Sequence, residues 1–252
     1  MNDILATFFL VFCRISSFMV ISPGFSLKQA PNLLKGLLSL SFSVTVLSSL
    51  QKIVVFQNLF IFSLQSFKEI LVGMALGFIV QLVFSAIEMA GQIIDFQVGF
   101  SMGSVYDPGV GIQGSNYGRL YYWLALAVFF FTDMHHLVID NLIQSFSIIP
   151  ITEMSMHGNT VEGMMILFVE VFKISILLAA PVVLVALVTD CVLGIISRSV
   201  PQINVLMLGM PMKILISFFF VLLFMPNLIE SIQKVLPDIS RYLNEFMESL
   251  VR

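Results

Sequence analysis

Read for hydrophobic and polar positions, the chain is a series of long apolar runs separated by short polar islands. Runs approaching the roughly 20 residues needed to cross a bilayer cover Ile4–Ile21, Leu33–Leu50, Ile70–Ala90, Leu120–Phe131 continued through Leu142, Met164–Ile196 and Met212–Ile229. The pattern predicts six spans and an all-α fold of long helical hairpins. A shorter run, Val54–Leu64, reads as an interfacial or re-entrant piece. The Met164–Ile196 run exceeds one bilayer and contains Pro181, so a kink or break is expected there.

The third run carries a second pattern. Gln81, Ser85, Glu88, Gln92, Asp95 and Gly99 recur at alternating steps of four and three, which aligns them on one helical stripe. Two readings stay open: a stripe lining an aqueous path, or the solvated face of a helix leaving the membrane. Gly73 and Gly77 on the same run form a small-xxx-small pair that permits close helix approach.

The stripe leads into the least regular stretch of the chain, Ile94 to Arg119. Six glycines fall between Gly99 and Gly118, around the turn signal Asp107-Pro108-Gly109. Irregular backbone in such an apolar setting is tolerated where protein or a water-filled cavity satisfies its amides, which makes this stretch a candidate plug or gate. Arg119 and the helix after it are expected to anchor its exit. A second island, Ser197 to Lys213, is bracketed by Pro201 and Pro211 and holds Gly209, with Arg198 and Lys213 at its ends. It reads as the turn of a hairpin.

Composition sharpens the class. The 252 residues are 58% hydrophobic and 11% charged, with a mean hydropathy of +1.01, values of a multi-pass hydrophobic protein. A net charge of -3 excludes a basic nucleic-acid footprint. Counted on alternate sides of a six-span chain, Lys52, Lys68, Lys234, Arg241 and Arg252 face Lys28, Lys35, Arg119, Arg198 and Lys213, a five-to-five tie under the positive-inside rule. The first run follows Met-Asn-Asp, with neither a basic leader nor a small-residue cleavage site, and is expected to stay in the mature chain. Cys13 and Cys191 lie in apolar runs and read as packing thiols.

Charges within the runs need partners. Glu170 and Lys173 are spaced i, i+3 and read as a structural pair. Arg14 and Asp190 have none nearby, so each implies a partner on another helix or subunit, or a water path.

Candidate chemistry is thin. Asp133-Met134-His135-His136 with Asp140 suggests a metal or acid-base cluster. Neighbouring helical histidines point about 100° apart, which argues against a shared metal of the i, i+4 kind. His157 stands apart, and no phosphate loop or nucleophile elbow is present. The sequence is read as non-catalytic, without metal or cofactor.

Five motifs in order carry a resemblance: Gln97-Val98-Gly99-Phe100-Ser101; Tyr106-Asp107-Pro108-Gly109; Asp133-Met134-His135-His136; Ser145-Phe146 with Pro150; and Ser197-Arg198-Ser199-Val200-Pro201-Gln202-Ile203-Asn204 with Gly209-Met210-Pro211-Met212-Lys213. Together they span nearly the whole chain, which resembles the FliR/SctT family of type III secretion export-gate subunits. Met134 departs from the glycine common in flagellar relatives.

The resemblance implies a single-copy subunit that closes a helical assembly with FliP and FliQ, beside FlhB, in the bacterial inner membrane and flagellar basal body. It implies one domain over 1-252, with a FliP-like part over 1-160 and a FliQ-like hairpin over 161-252. The assembly would stand largely above the membrane plane, in keeping with the tied charges. Unfolded substrates would pass a pore closed by a plug over 99-118, with Gly99, Phe100, Ser101, Met102, Gly103, Val105, Tyr106, Asp107, Pro108, Gly109, Ile112 and Gly114 as its residues. Arg198, Pro201, Asn204, Gly209, Pro211 and Lys213 would serve the hairpin turn and subunit contact. The alternatives are the SctT subunit of an injectisome, an independent solute or ion transporter using the stripe and Asp190, and a membrane metalloenzyme using Asp133, His135 and His136.

Overall fold

The computed structural model describes residues 2–26, 31–50, 58–100, 115–151, 159–199 and 205–250. Among these residues the chain is helical, without strands, in eight helices: α1 (Asn2–Ile21), α2 (Asn32–Ser49), α3 (Leu59–Val98), α4 (Asn116–Phe131), α5 (Met134–Ile148), α6 (Asn159–Ser199), α7 (Val205–Val235) and α8 (Asp238–Ser249). They form two compact units. One comprises Met1–Val83, Asp133–Phe168 and Pro237–Arg252, the other Phe84–Thr132 and Val169–Leu236.

The all-α expectation holds, but the span count changes. Among the described residues, four stretches are long and apolar enough to cross a membrane: Asp3–Ile21, Leu59–Val98, Met165–Ser199 and Gly209–Ser249; α4 and α5 make a fifth if taken as one interrupted span. The Leu33–Leu50 run forms only a short apolar helix, α2. The continuation of the Leu120 run to Leu142 is broken at Thr132 and Asp133, where Asp133 takes a left-handed φ of 56°. The five-to-five charge count assumed six spans and loses its basis with them.

Three local expectations are also corrected. Leu59–Leu64, half of the supposed re-entrant piece, is the first part of α3. Of the kink or break expected at Pro181, the break is absent: helix α6 is continuous through that residue. The second island is narrower than its prolines suggest: α6 reaches Ser199 and α7 begins at Val205, so Gly209 and Pro211 are helical, while Pro201 and Asn204 lie outside the described residues.

In the first unit, α1 packs on α2 and α5 on α8. Buried Leu10, Val11, Ile15 and Phe18 make the inner face of α1, and Val72, Leu76, Ile79 and Val80 that of α3. The glycine pair does what its spacing implies. A Cβ on Gly73 would collide with the Arg14 carbonyl and Ser17 Oγ, and one on Gly77 would lie 3.0 Å from the Phe18 carbonyl oxygen. Helix α8 is amphipathic. Its buried Ile239, Tyr242, Leu243, Phe246 and Met247 fall at the helical repeat, and Asn141 Nδ2 donates to Ser240 Oγ at 2.9 Å.

Arg14 is fully buried here and finds its partner on another helix. Its Nε meets Glu69 Oε2 on α3 at 2.6 Å. Nη1 donates to the Ser145 carbonyl at 3.0 Å and to Ser145 Oγ at 3.2 Å, and Nη2 to the Ile149 carbonyl at 3.1 Å. The guanidinium carbon stands 4.2 Å from the Phe146 ring centroid. One cation thus satisfies a carboxylate, the Ile149 carbonyl just past the end of α5, and the second lone pair of the Ser145 carbonyl, which also accepts the Ile149 amide at 2.9 Å.

In the second unit, α4 packs on α7. Phe84 stands edge-on to Phe129, centroids 5.5 Å apart, and to Tyr122 at 6.0 Å. Gly91 is the point of closest approach, because a Cβ there would overlap the Tyr117–Gly118 peptide. Large apolar side chains remain outside in both long helices, among them Leu177, Leu184, Leu215, Phe218 and Leu222. Such a surface calls for cover by lipid or protein.

Candidate functional site

The residues around the glycine-rich stretch form a frame in the second unit. Helix α3 ends at Val98. Gly99, with φ 96°, and Phe100 then return their amides to the Asp95 carbonyl at 3.1 and 3.0 Å. The chain re-enters the description at Ser115, the N-cap of α4. Ser115 Oγ accepts from the Gly118 amide at 2.8 Å, satisfying one orphan donor of that helix.

Asp95 joins the two ends. Its Oδ2 accepts a short hydrogen bond from Ser115 Oγ and another from the Tyr117 amide at 3.1 Å. The carboxylate is buried and sits against the positive end of α4, where the helix dipole favours an anion. The last turn of α3 and the first turn of α4, which flank residues 101–114 in the sequence, are therefore tied together at Asp95. Tyr117 extends the frame: its hydroxyl lies 2.9 Å from Ser217 Oγ on α7, and its ring meets Phe100 edge-on at 5.8 Å. Beside it opens an apolar cleft of about 630 Å³, lined by Phe100, Asn116, Tyr117, Leu120, Pro211, Ile214, Leu215 and Phe218.

A charged cluster lies on three helices of the same unit. Asp190 on α6 pairs closely with Lys213 on α7 and accepts from Gln97 Nε2 on α3 at 3.3 Å. Asp190 thus has the partner that its position in an apolar run demands. Glu170 and Lys173 make the local pair read from their spacing, at 3.2 Å. Lys213→Met is expected to lower stability by about 1–3 kcal/mol, between the worth of exposed and buried pairs, and Lys173→Met by less than 1 kcal/mol. Thermal unfolding of the purified variants checks the order; equal losses would refute it.

Of the plug residues named from sequence, Gly99 and Phe100 are at the frame, and Ser101, Met102, Gly103, Val105, Tyr106, Asp107, Pro108, Gly109, Ile112 and Gly114 lie outside the described residues. Along the stripe, Gln81, Ser85 and Glu88 are half-buried, Gln92 is exposed and Asp95 is buried. Arg198 is exposed in the last turn of α6. Among the described residues Arg119 is exposed, contacts Asn116 Oδ1 at 3.5 Å and adds no anchor to the exit. Ser115, Tyr117 and Ser217 do that work and were missed. Ser115-Asn116 ahead of an apolar run was a readable N-cap signal; nothing local marked Ser217.

The histidines are closer than their sequence positions suggest. The rings of His135 and His136 have centroids 4.0 Å apart, and His136 Nδ1 lies 3.7 Å from Asp133 Oδ1. The 100° between neighbouring side chains fixes their Cα–Cβ directions only, and the imidazoles turn toward each other beyond that point.

Comparison with known proteins places the chain. Residues 5–239 match the family described as bacterial export proteins, family 1. The chain belongs to this family. Among individual members of the bacterial export proteins, it is 35% identical over 219 residues to the flagellar biosynthetic protein FliR of Bacillus subtilis (strain 168), covering 86% of this chain and 85% of that one. It is 27% identical to the FliR of Aquifex aeolicus (strain VF5) over 98% of this chain and 96% of that one. The surface presentation of antigens protein SpaR of Shigella sonnei is 28% identical over 62% of this chain and 60% of its own length.

Proposed function

We propose that the protein is a subunit of the flagellar type III protein export gate, held in the bacterial inner membrane at the basal body, and that residues 99–118 are its plug. The observation that carries the plug reading is the Asp95 junction. It anchors both ends of a fourteen-residue segment rich in glycine beside an apolar cleft. A plug needs fixed ends and a deformable middle. Asp95, Ser115 and Tyr117 supply the first, and for the second the sequence offers Gly103, Gly109, Gly111 and Gly114, a residue type with wide backbone freedom. Val105, Tyr106 and Ile112 would provide the apolar seal, and Asp107-Pro108 a turn.

The flagellar assignment is favoured over an injectisome subunit by the longer and higher-identity match to flagellar members than to SpaR. The partners are homologues of FliP, FliQ and FlhB, with unfolded export substrates as cargo. Residues 1-160 would take the FliP-like place and 161-252 the FliQ-like place. The exposed apolar faces of α6 and α7 support such cover by neighbouring helices. The Gln81 to Asp95 stripe would face the water path, except that Asp95 itself is spent on the junction.

The test uses the chain co-purified with its FliP and FliQ homologues. Deleting Val105 to Gly114 is expected to leave the complex assembled and to raise its ion conductance in planar bilayers at least tenfold. An assembled complex with unchanged conductance rules out the plug; a chain that forms no complex with those partners rules out the gate.

A further inference from the structure

We infer that Asp133, His135 and His136 form a surface site for a divalent transition-metal ion of the zinc class. One ligand atom from each residue lies within 4.8 Å of the others, and the donor set is two imidazoles and a carboxylate, the chemistry that zinc, cobalt, nickel and copper ions favour. The site belongs wholly to the first unit, at the start of α5.

The geometry is open but close to competent. Zinc holds nitrogen and oxygen ligands at about 2.0–2.2 Å, so tetrahedral ligands stand about 3.4 Å apart. Asp133 Oδ1 and His136 Nδ1, at 3.7 Å, are already near that spacing. The widest separation exceeds it by at most about 1.4 Å. Asp133 and His136 have side chains 76% and 68% exposed, so their χ rotations close the gap without disturbing the core. Asp133 precedes α5 in the N-cap position but makes no side-chain capping bond, which leaves its carboxylate for a ligand. Three protein donors leave the remaining positions to water, as in an exchangeable rather than a structural site. A bound ion would cross-link the break after α4 to the first turn of α5 and stabilise the native state by mass action.

This inference is independent of the export reading. The test uses the full-length chain in detergent with its purification tag removed and metal stripped by chelator. Cobalt(II) is added as the spectroscopic probe, followed by zinc in competition. One saturable equivalent of cobalt per chain is expected, with ligand-field absorption abolished by zinc. His135→Gln and His136→Gln should each weaken binding at least tenfold, and Asp133→Asn should weaken it with both histidines intact. His157→Gln serves as the control and should leave binding unchanged. Circular dichroism checks that each variant keeps its helix content, as it should with Asp133 and His136 exposed and His135 half-buried. Absence of saturable binding up to about 100 µM cobalt overturns the inference. Binding that survives loss of both His135 and His136, or depends on His157, also overturns it.

Discussion

Arg14→Met is expected to prevent the protein from accumulating, with a loss of about 3–5 kcal/mol where the variant can be measured, because it strands a buried carboxylate. Glu69 is almost fully buried and has Arg14 Nε at 2.6 Å. The Ile149 carbonyl loses the Arg14 donor in the same step, and the Ser145 carbonyl is left with the Ile149 amide alone. Arg14→Lys should rescue little. A single ammonium cannot reproduce a fork that reaches a carboxylate and two carbonyls in different directions. The double replacement Arg14→Met with Glu69→Leu removes both charges and should recover much of the loss of the single variant, since paired deletion avoids the uncompensated ion. Steady-state level in membranes and thermal unfolding in detergent read the four proteins. A double variant as unstable as Arg14→Met would show that the carbonyl contacts, rather than the ion pair, dominate.

The second large effect concerns glycine. Gly91→Ala is expected to destabilise by about 1–3 kcal/mol, the range for overpacking, and Gly91→Val by more. The new Cβ meets the peptide between Tyr117 and Gly118, and backbone cannot swing aside as a side-chain tip can. Tyr117 also carries the amide bonded to Asp95, so the displacement would loosen the frame. Gly194→Ala, in the long helix α6, is the matched control. Nothing lies within 4 Å of its added Cβ, so helix propensity alone applies and should favour alanine by about 1 kcal/mol. The same chemical change is thus expected to have opposite signs at the two sites. Thermal midpoints of the two variants decide it, and equal signs would contradict the close-packing account.

What was legible in the sequence follows from the reach of each interaction. Helicity and apolar runs are local, and Gly73 with Gly77 declares a close contact without saying with what. Arg14 announces the need for a partner, yet Glu69 stands one position outside the Ile70–Ala90 apolar run and belongs to the same helix only because α3 begins at Leu59. Two of the Arg14 acceptors are backbone carbonyls at Ser145 and Ile149, which no residue type advertises. Helix α8 was readable from Ile239, Tyr242, Leu243, Phe246 and Met247, but a search for continuous apolar stretches passes over an amphipathic one. The break at Asp133 was hidden for the opposite reason: apolar residues continue on both sides of it. Family membership, by contrast, rested on ordered motifs and was recoverable from sequence, whereas the Asp95 junction required knowing that residues twenty apart meet.

The Arg14 contacts also set a timetable for synthesis. Glu69 is 55 residues downstream and Ser145 is 131. At about 5–20 residues per second, Arg14 waits about 3–11 s for its carboxylate and about 7–26 s for its first carbonyl. Until Glu69 is made the nascent first helix carries an unneutralised cation in an apolar face, and until Ser145 is made the guanidinium stays partly unbonded. A chain released before Ser145 never completes the set, and its Arg14 keeps the Glu69 carboxylate while Nη1 and Nη2 lack the acceptors they meet in the finished fold.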